Sequence, residues 1–460
     1  MDHMDKIDPI DDTDSVCKLD GGTTWTRPPV VGLVVTYAPL EVGCDAAPAL
    51  ARRAAEALAP LPIQLELGAE PVHDVASALA AAERMRAAEV DAVIWLAATW
   101  AFDSTALEFV RRCPVPIVAW GVPGMETGSV CGSQQLVEVL TELGYPRAFV
   151  HGAVDDAHAQ ASALAFVQGA GAAHRLKRAR FGMLGHRTVG MAEVTFHELD
   201  VYRQFGSLIY YQGADRLLAG MDSVEPAEVS HVWNGLRARC GACAVSNEDG
   251  LRAARCYLAL RQWIRDARLD GVAVGCYPDL MGLVCIGCGL LAEEGIVTSC
   301  EGDMNSAILT AAMQLLSGRP VHNTDFLFAH EDENACTMSH CGNSAISLAA
   351  NEGEVALEHV RLMDRGVVTR YTGASGPVTL ANLCGAKDTY RLAYYTGEAV
   401  ATDMTFPGIP VKVRLDTPVE QFLEETADFG AGHHWMVAYG DLAPGLDAFA
   451  EITGLHTLAG

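Results

Sequence analysis

Between Val30 and Ala119 near-continuous apolar runs alternate with alanine-rich helical ones, and no other feature restricts the fold so tightly. VVGLVVT (Val30 to Thr36) and AVIWLA (Ala92 to Ala97) have no polar face. Such strands must be covered on both sides, the signature of a parallel layer. Ile63 to Leu67 and Pro116 to Ala119 read as further strands, and Ala46 to Leu58 and Val75 to Ala88 as helices between them.

After the basic junction LKRAR (Leu176 to Arg180), a second α/β unit begins at Phe181. Gly271 to Val274 and Ile296 to Cys300 are its strands, and Ala307 to Leu316 a helix stopped by Gly318 and Pro320. The Gly-rich run Gly271 to Leu291 reads as buried strand, loop and turn. Beyond about Asn351 the pattern turns β-rich, with Val367 to Tyr371, Val378 to Asn382, Thr389 to Tyr395 and Val411 to Leu415 as strands. The expected class is α/β: two doubly wound parallel-sheet domains, then a β-rich, antiparallel, barrel-like C-terminal domain. The divisions fall at 1–22 (a loosely ordered acidic tail), 23–175, 176–350 and 351–460.

Composition narrows the partners. The formal net charge of −26 argues against nucleic acid and anionic membranes. Met1 to Asp14 lacks the basic-then-apolar order of a signal peptide, and no stretch has the length and apolarity of a membrane span. A cytoplasmic protein is expected, with its 14 cysteines reduced. Lysine is confined to Lys6, Lys18, Lys177, Lys387 and Lys412, which disfavours Schiff-base chemistry.

The chemistry concentrates between Gly295 and His340. A strand ends at Cys300 and Glu301 follows at once. Asn305 or Ser306 can cap the next helix, and a second strand leads to Asp325. Read as one right-handed βαβ crossover, this makes the two strands parallel neighbours, with both acids at one carboxyl edge of the sheet. Two carboxylates there can share a divalent cation; as unrelated surface acids they would do nothing. Gly432-His433-His434-Trp435 offers a third ligand. On a strand only one of the two histidines can face a metal, leaving the other for substrate or for the loop. His340, one loop beyond Asp325, is a further candidate.

The segment CEGDMNSAILTAAMQLLSGRPVHNTDF and the late GHHW resemble the L-fucose isomerase and L-arabinose isomerase superfamily from about Phe181 onward. That resemblance implies metal ligands at Glu301, Asp325 and His434, preferred over His433, with Glu301 and Asp325 also relaying protons. It implies Mn²⁺, with Mg²⁺ or Co²⁺ tolerated. It implies interconversion of a free aldose and its ketose through a cis-enediol or enediolate. The sugar would be L-fucose, L-arabinose or a 6-modified hexose such as sulfoquinovose. Homotrimers or homohexamers follow from the same likeness. A metal-dependent lyase or epimerase, or a non-catalytic sugar-binding protein, are the competing readings.

Gly185-His186-Arg187-Thr188-Val189-Gly190 is a basic, glycine-flanked turn without a phosphate-loop or dinucleotide ending. His186 and Arg187 could contact sugar hydroxyls or an acidic substituent, alongside His433 and His340; otherwise the turn is an ordinary connection. Trp435, Trp95, Trp100 and Trp120 could stack on a sugar, though tryptophans are more often core. The pairs Cys240/Cys243 and Cys285/Cys288 are spaced too far apart for a compact zinc ribbon, and free thiols are expected.

Overall fold

The computed structural model describes residues 25–68, 70–385, 390–403 and 408–460. The tail read over 1–22 lies outside the described residues, as do Lys6, Lys18, Lys387 and the Thr389 start of one expected strand.

The first sheet is parallel, with strands β1 (Val30–Thr36), β2 (Gln64–Leu67), β3 (Ala92–Ala97), β4 (Ile117–Gly121) and β5 (Arg147–His151) in the order β2-β1-β3-β4-β5. Between and after them run α1 (Ala47–Leu58), α2 (Val75–Ala87), α3 (Asp103–Arg112), α4 (Ser129–Glu142) and α5 (Ala157–Leu176). Val31, Leu33 and Val35 pack with α1 and α5, whereas Val34 packs with α2, α3 and α4. Alternate side chains of one strand therefore enter two cores, which is why β1 carries no polar face.

Helix α5 belongs to two cores. Ala163, Phe166 and Val167 pack under the first sheet, while Ala172, Ala173 and Leu176 join the next core. Near its end Arg175 donates through Nη2 to Asp91 Oδ2 at 2.8 Å and through Nη1 to the Arg27 carbonyl at 2.8 Å.

The middle of the chain forms β6 (Arg180–Leu184), β7 (Leu208–Gln212), β8 (Ala242–Cys243), β9 (Gly271–Val274) and β10 (Val297–Ser299). Its helices are α6 (Glu198–Phe205), α7 (Ala214–Met221), α8 (Pro226–Arg239), α9 (Asn247–Ala267), α10 (Cys285–Glu293) and α11 (Met304–Ser317). Four of these strands make a parallel sheet ordered β10-β9-β6-β7. Helix α10 occupies part of the run expected to be strand, loop and turn. Its CIGCGLLA residues are all buried, so the run has no polar side to mark a helical period. Asp303 caps α11, accepting from Ser306 N, in place of Asn305 or Ser306, and Gly318 closes it in the left-handed region.

The remainder is β-rich: β11 (His322–His330), β12 (Ala335–Ser339), β13 (Ala356–Val360), β14 (Arg365–Arg370), β15 (Gly376–Cys384), β16 (Arg391–Val400), β17 (Val411–Leu415), β18 (His434–Tyr439) and β19 (His456–Ala459). Helices α12 (Val419–Phe429) and α13 (Ala443–Thr453), not foreseen in the sequence, interrupt it. Seven strands form one sheet, β15-β18-β11-β12-β17-β16-β19, and β15 also pairs with β16. β14, β13 and β8 form a small fourth sheet.

One expectation is overturned here. β11 does not lie parallel beside β10; it is antiparallel to β12 and β18 in the seven-stranded sheet. The crossover rule applies to strands returning to one sheet, and this connection leaves its sheet. No helix of the described residues is long and apolar enough to cross a membrane.

Candidate metal centre

Glu301 leaves β10 with φ 61°, and Gly302 follows with φ 72°. A non-glycine residue in this region costs about 1–3 kcal/mol and persists only where its surroundings hold it. Three backbone hydrogen bonds do so: Thr188 N to Glu301 O at 2.9 Å, Gly302 N to Val274 O at 3.0 Å and Asp303 N to Cys300 O at 3.0 Å. A Cβ on Gly302 would stand 2.6 Å from Arg187 Cα, and one on Gly275 would stand 2.0 Å from His186 O. The two glycines thus admit the 186–188 turn beneath Glu301.

The other acids and imidazoles come from the seven-stranded sheet. Register pairs Asp325 of β11 with His434 of β18 and with Ser339 of β12, directly before His340. Cross-strand partners share a face, so Asp325 and His434 project together. His434 Nε2 stands 3.0 Å from Glu301 Oε2 and 3.8 Å from Asp325 Oδ1. His433 Nε2 stands 4.0 Å from each of the same carboxylate oxygens. The expectation that one histidine must turn away fails because β18 begins at His434; His433 lies before it and escapes strand alternation. Its Nδ1 is 2.8 Å from Glu193 Oε1.

Two groups of potential ligand atoms result, Glu301 with His340 and His434, and Asp325 with His433 and His434, each within 4.8 Å of one another. Asp325 Oδ1 is buried without a hydrogen-bond partner among the described residues. An orphaned carboxylate oxygen facing imidazole nitrogens is a donor set that a divalent cation fits. The electrostatics agree. Burial opposes charge on His434, but its hydrogen bonds to Asp303 and Glu301 prevail and raise it to about 9. Burial likewise opposes charge on His340, and Cys341, Asp325 and Glu301 outweigh it, raising it to about 10. Burial pushes the Glu301 carboxyl up, yet His434 and His340 hold it below its ordinary value. The cluster draws positive charge, and a cation would take the place of the protons.

Asp303 is the site residue that sequence reading missed. Its Oδ2 accepts from His434 Nδ1 at 2.8 Å, and both residues are buried. This bond puts the Nδ1 proton toward Asp303 and leaves Nε2 for a ligand bond, the usual outer-shell arrangement. Only the left-handed turn at Glu301 and Gly302 brings Asp303 round to His434, and spacing does not reveal it. Glu193, on the loop after β6, has no sequence signal either.

The remaining candidates divide. Exposed His186 has Nδ1 2.7 Å from the Arg187 carbonyl. Arg187 donates through Nη1 to the Thr188 and Met191 carbonyls at 3.3 and 3.2 Å, so its guanidinium braces its own turn. Trp435 is packed between Phe422 and Tyr395, 3% exposed, and offers no ring face to a sugar. Trp95 and Trp120 are equally buried in the first sheet, and Trp100 is held by Gln135. A cavity of about 230 Å³ opens at Glu301, Asp325 and His340 and extends to Tyr277, His359 and Arg361.

Sequence comparison supplies an independent observation. A sulfoquinovose isomerase of Alkalicoccus urumqiensis is 25% identical over 368 residues, 76% of this chain and 82% of its own length. One from Priestia aryabhattai is 24% identical over 383 residues, 80% and 85% of the two chains. An L-arabinose isomerase of Herpetosiphon aurantiacus is 22% identical over 346 residues, 71% and 69%. No family model matches the chain. Among solved structures, a periplasmic solute-binding protein of Actinobacillus succinogenes with bound D-allose aligns at 11% identity over 64% of this chain and 85% of its own, with a TM-score of 0.17, too low to bear on the fold.

Proposed function

We infer that this chain is a member of the superfamily of its sulfoquinovose and L-arabinose isomerase relatives and is an aldose–ketose isomerase, an intramolecular oxidoreductase. The observation that carries metal dependence is the convergence of Glu301, His340 and His434 on one point beside the orphaned Asp325 Oδ1. Glu301, Asp325, His434 and His340 would hold the ion. Mn²⁺ suits this mixed oxygen and nitrogen set, with Mg²⁺ or Co²⁺ as substitutes. When bound, it would offset the negative charge that develops on O1 and O2 of the open-chain sugar.

The chain's own groups supply the proton traffic. Glu301 and Asp325 approach His434 Nε2 from two carboxylates and both line the cavity. A carboxylate there can take the proton from one sugar carbon and return it to the next. Asp303 fixes His434, and Glu193 fixes His433.

For the sugar we favour a 6-modified, anionic hexose such as sulfoquinovose over L-fucose or L-arabinose. Two observations support this: the sulfoquinovose isomerases among the relatives, and His359 and Arg361 lining the cavity that the metal ligands open. Arg187, which is not part of that lining, is the weaker candidate for that charge. We also read the ring of pairings through β15 and β16 as a small barrel and the parallel sheets as doubly wound units, divided near residue 175; the seven-stranded sheet already begins at His322, ahead of the division expected at 350. A cytoplasmic homotrimer or homohexamer is part of the same reading.

The test is metal-stripped protein with a panel of aldoses, including sulfoquinovose, L-fucose and L-arabinose, with and without Mn²⁺, followed by NMR. Ketose should form only with metal and vanish in Glu301→Gln. A cleavage product or an epimer would replace this reading with the lyase or epimerase one, and binding without turnover with the sugar-binding one.

A further inference from the structure

Five cysteines gather beside the metal centre: Cys276, Cys285, Cys288, Cys300 and Cys341, all free thiols. Cys300 directly precedes Glu301 and Cys341 directly follows His340. Cys341 packs against the apolar patch that includes Cys285, and Cys300 Sγ accepts from Asn343 Nδ2 at 2.9 Å, beside the same loop. Several thiols in one neighbourhood distinguish this cluster from a lone buried cysteine, which packs as a small hydrophobe.

The thiols do not form a second metal site. Among the described residues, the only groups of three or more potential ligands with all their ligand atoms within 4.8 Å of one another are the two at the metal centre. Neighbouring thiols without a converging ligand set suit a disulfide instead.

Access singles out one thiol. Cys285, Cys288 and Cys300 are wholly buried. Cys341 is half-buried and lines the cavity that opens at Glu301 and Asp325; Cys276 also lines it, but is 2% exposed. Its Sγ stands 3.3 Å from His340 Nδ1. On its inner side Cys341 packs against the small apolar patch of Met281, Cys285, Val360 and Val368. Cys285 opens α10, its Sγ accepting from Gly282 N at 3.3 Å.

We propose that Cys341 is a reversible oxidation site, reached by a hydroperoxide through the active-site cavity and closed onto Cys285 as a disulfide. In the first step the Cys341 sulfur attacks a peroxide oxygen and the O–O bond breaks. With hydrogen peroxide this yields the sulfenic acid and one water. In the second, the Cys285 sulfur attacks the Cys341 sulfur, the S–O bond breaks and a second water leaves with the thiol proton. Two thiols lose two electrons, and the peroxide is reduced to water. The bond draws Cys341 toward α10 and off His340 Nδ1, so His340 loses the contact that orients it toward Glu301. Metal retention then falls about tenfold or more, the scale seen when an outer-shell partner is lost.

The experiment treats the full metal-loaded chain with hydrogen peroxide, alkylates the remaining thiols, and maps cross-links by mass spectrometry without reduction. A Cys285–Cys341 cross-link that dithiothreitol reverses is expected, with metal content falling and recovering in step. Cys285→Ser should abolish the cross-link and leave a Cys341 sulfenic acid that a dimedone probe traps. Two results overturn the proposal: Cys341 still fully alkylated at a dose that oxidises exposed Cys131 and Cys243, or Cys341 bridged to a different thiol. A cross-link with unchanged metal content would overturn the coupling to the metal. The cross-link itself is read whether or not the chain proves to be a metal-dependent isomerase.

Discussion

Replacing Asp303 with Asn changes one oxygen to nitrogen and should cripple metal binding from the outer shell. Asp303 Oδ2 accepts from His434 Nδ1 at 2.8 Å and from Ser306 Oγ at 2.6 Å, while Oδ1 accepts from Ser306 N at 3.1 Å. An amide has a single acceptor oxygen for these two sides. If that oxygen faces Ser306 N, the NH₂ meets His434 Nδ1 and selects the tautomer whose proton sits on Nε2, where the metal must bind. If it faces His434, two N–H groups confront each other at the helix cap. Both residues are buried, so water cannot repair either choice. Loss of such an outer-shell partner typically costs about 10–100-fold in metal affinity, or about 1.4–2.7 kcal/mol. Because Asn is as good a helix cap as Asp, α11 itself should lose little. Calorimetric titration of metal-stripped protein with Mn²⁺ measures the effect, with thermal unfolding as the control. Ser306→Ala should leave the affinity nearly unchanged. An Asp303→Asn affinity equal to wild type would refute the assignment of His434 as a ligand oriented by Asp303.

Four further outcomes are expected. His434 and His340 are raised from 6.5 to about 9 and about 10, so in the metal-free protein their stabilising contribution is full below 6.5 and lost as pH rises through those values; Mn²⁺ should remove that loss and release protons on binding at pH 7, read by calorimetry in buffers of different ionisation enthalpy. Burial depresses His322 to about 4, so the unfolded chain takes up its proton first and stability should fall as pH drops from 6.5 through 4, an effect weakened in His322→Gln and followed by urea titration. Arg175→Met removes the guanidinium from buried Asp91, which keeps His174 and the Val30 amide, and should cost about 1.5–3 kcal/mol in chemical denaturation, the worth of a charge-assisted hydrogen bond. Arg361→Gln should weaken kcat/KM for sulfoquinovose by about 10–150-fold, the worth of a charge-assisted hydrogen bond of about 1.5–3 kcal/mol, and leave a neutral aldose unaffected; equal losses on both would argue against an anion contact.

The readable parts of this chain are those in which burial leaves a trace in residue type. β1 and β3 are legible because β-branched and apolar residues fill both faces. α10 is not, because a helix buried all round has no period, and its glycines mimic a loop. The two candidate carboxylates are visible as acids at strand ends, but their placement is not. Parallel pairing was the natural inference for a strand–helix–strand run, and only tertiary structure shows that β11 joins another sheet. The roles of Asp303 and Glu193 depend on backbone turns of one or two residues, below the resolution of spacing arguments. Trp435 follows His434 on a strand, so alternation alone points it to the opposite face.

The proposed ligand set draws Glu301 from the end of the parallel four-stranded sheet and Asp325, His340 and His434 from the seven-stranded one. Glu301 and His434 are 133 residues apart in the chain. A cation bound among them is therefore a cross-link between two independently hydrogen-bonded layers, closing a loop as long as a small protein. Within the set only Asp325 and His340 are close in sequence, on the paired strands β11 and β12, so the ion cannot join the two layers until they meet. Capture must come late, after the sheets have docked, and each docked molecule that captures an ion gains about 2.7 kcal/mol when free metal is a hundredfold above the dissociation constant. Small errors in the angle between the layers would be felt first at this seam, well before either sheet loosened.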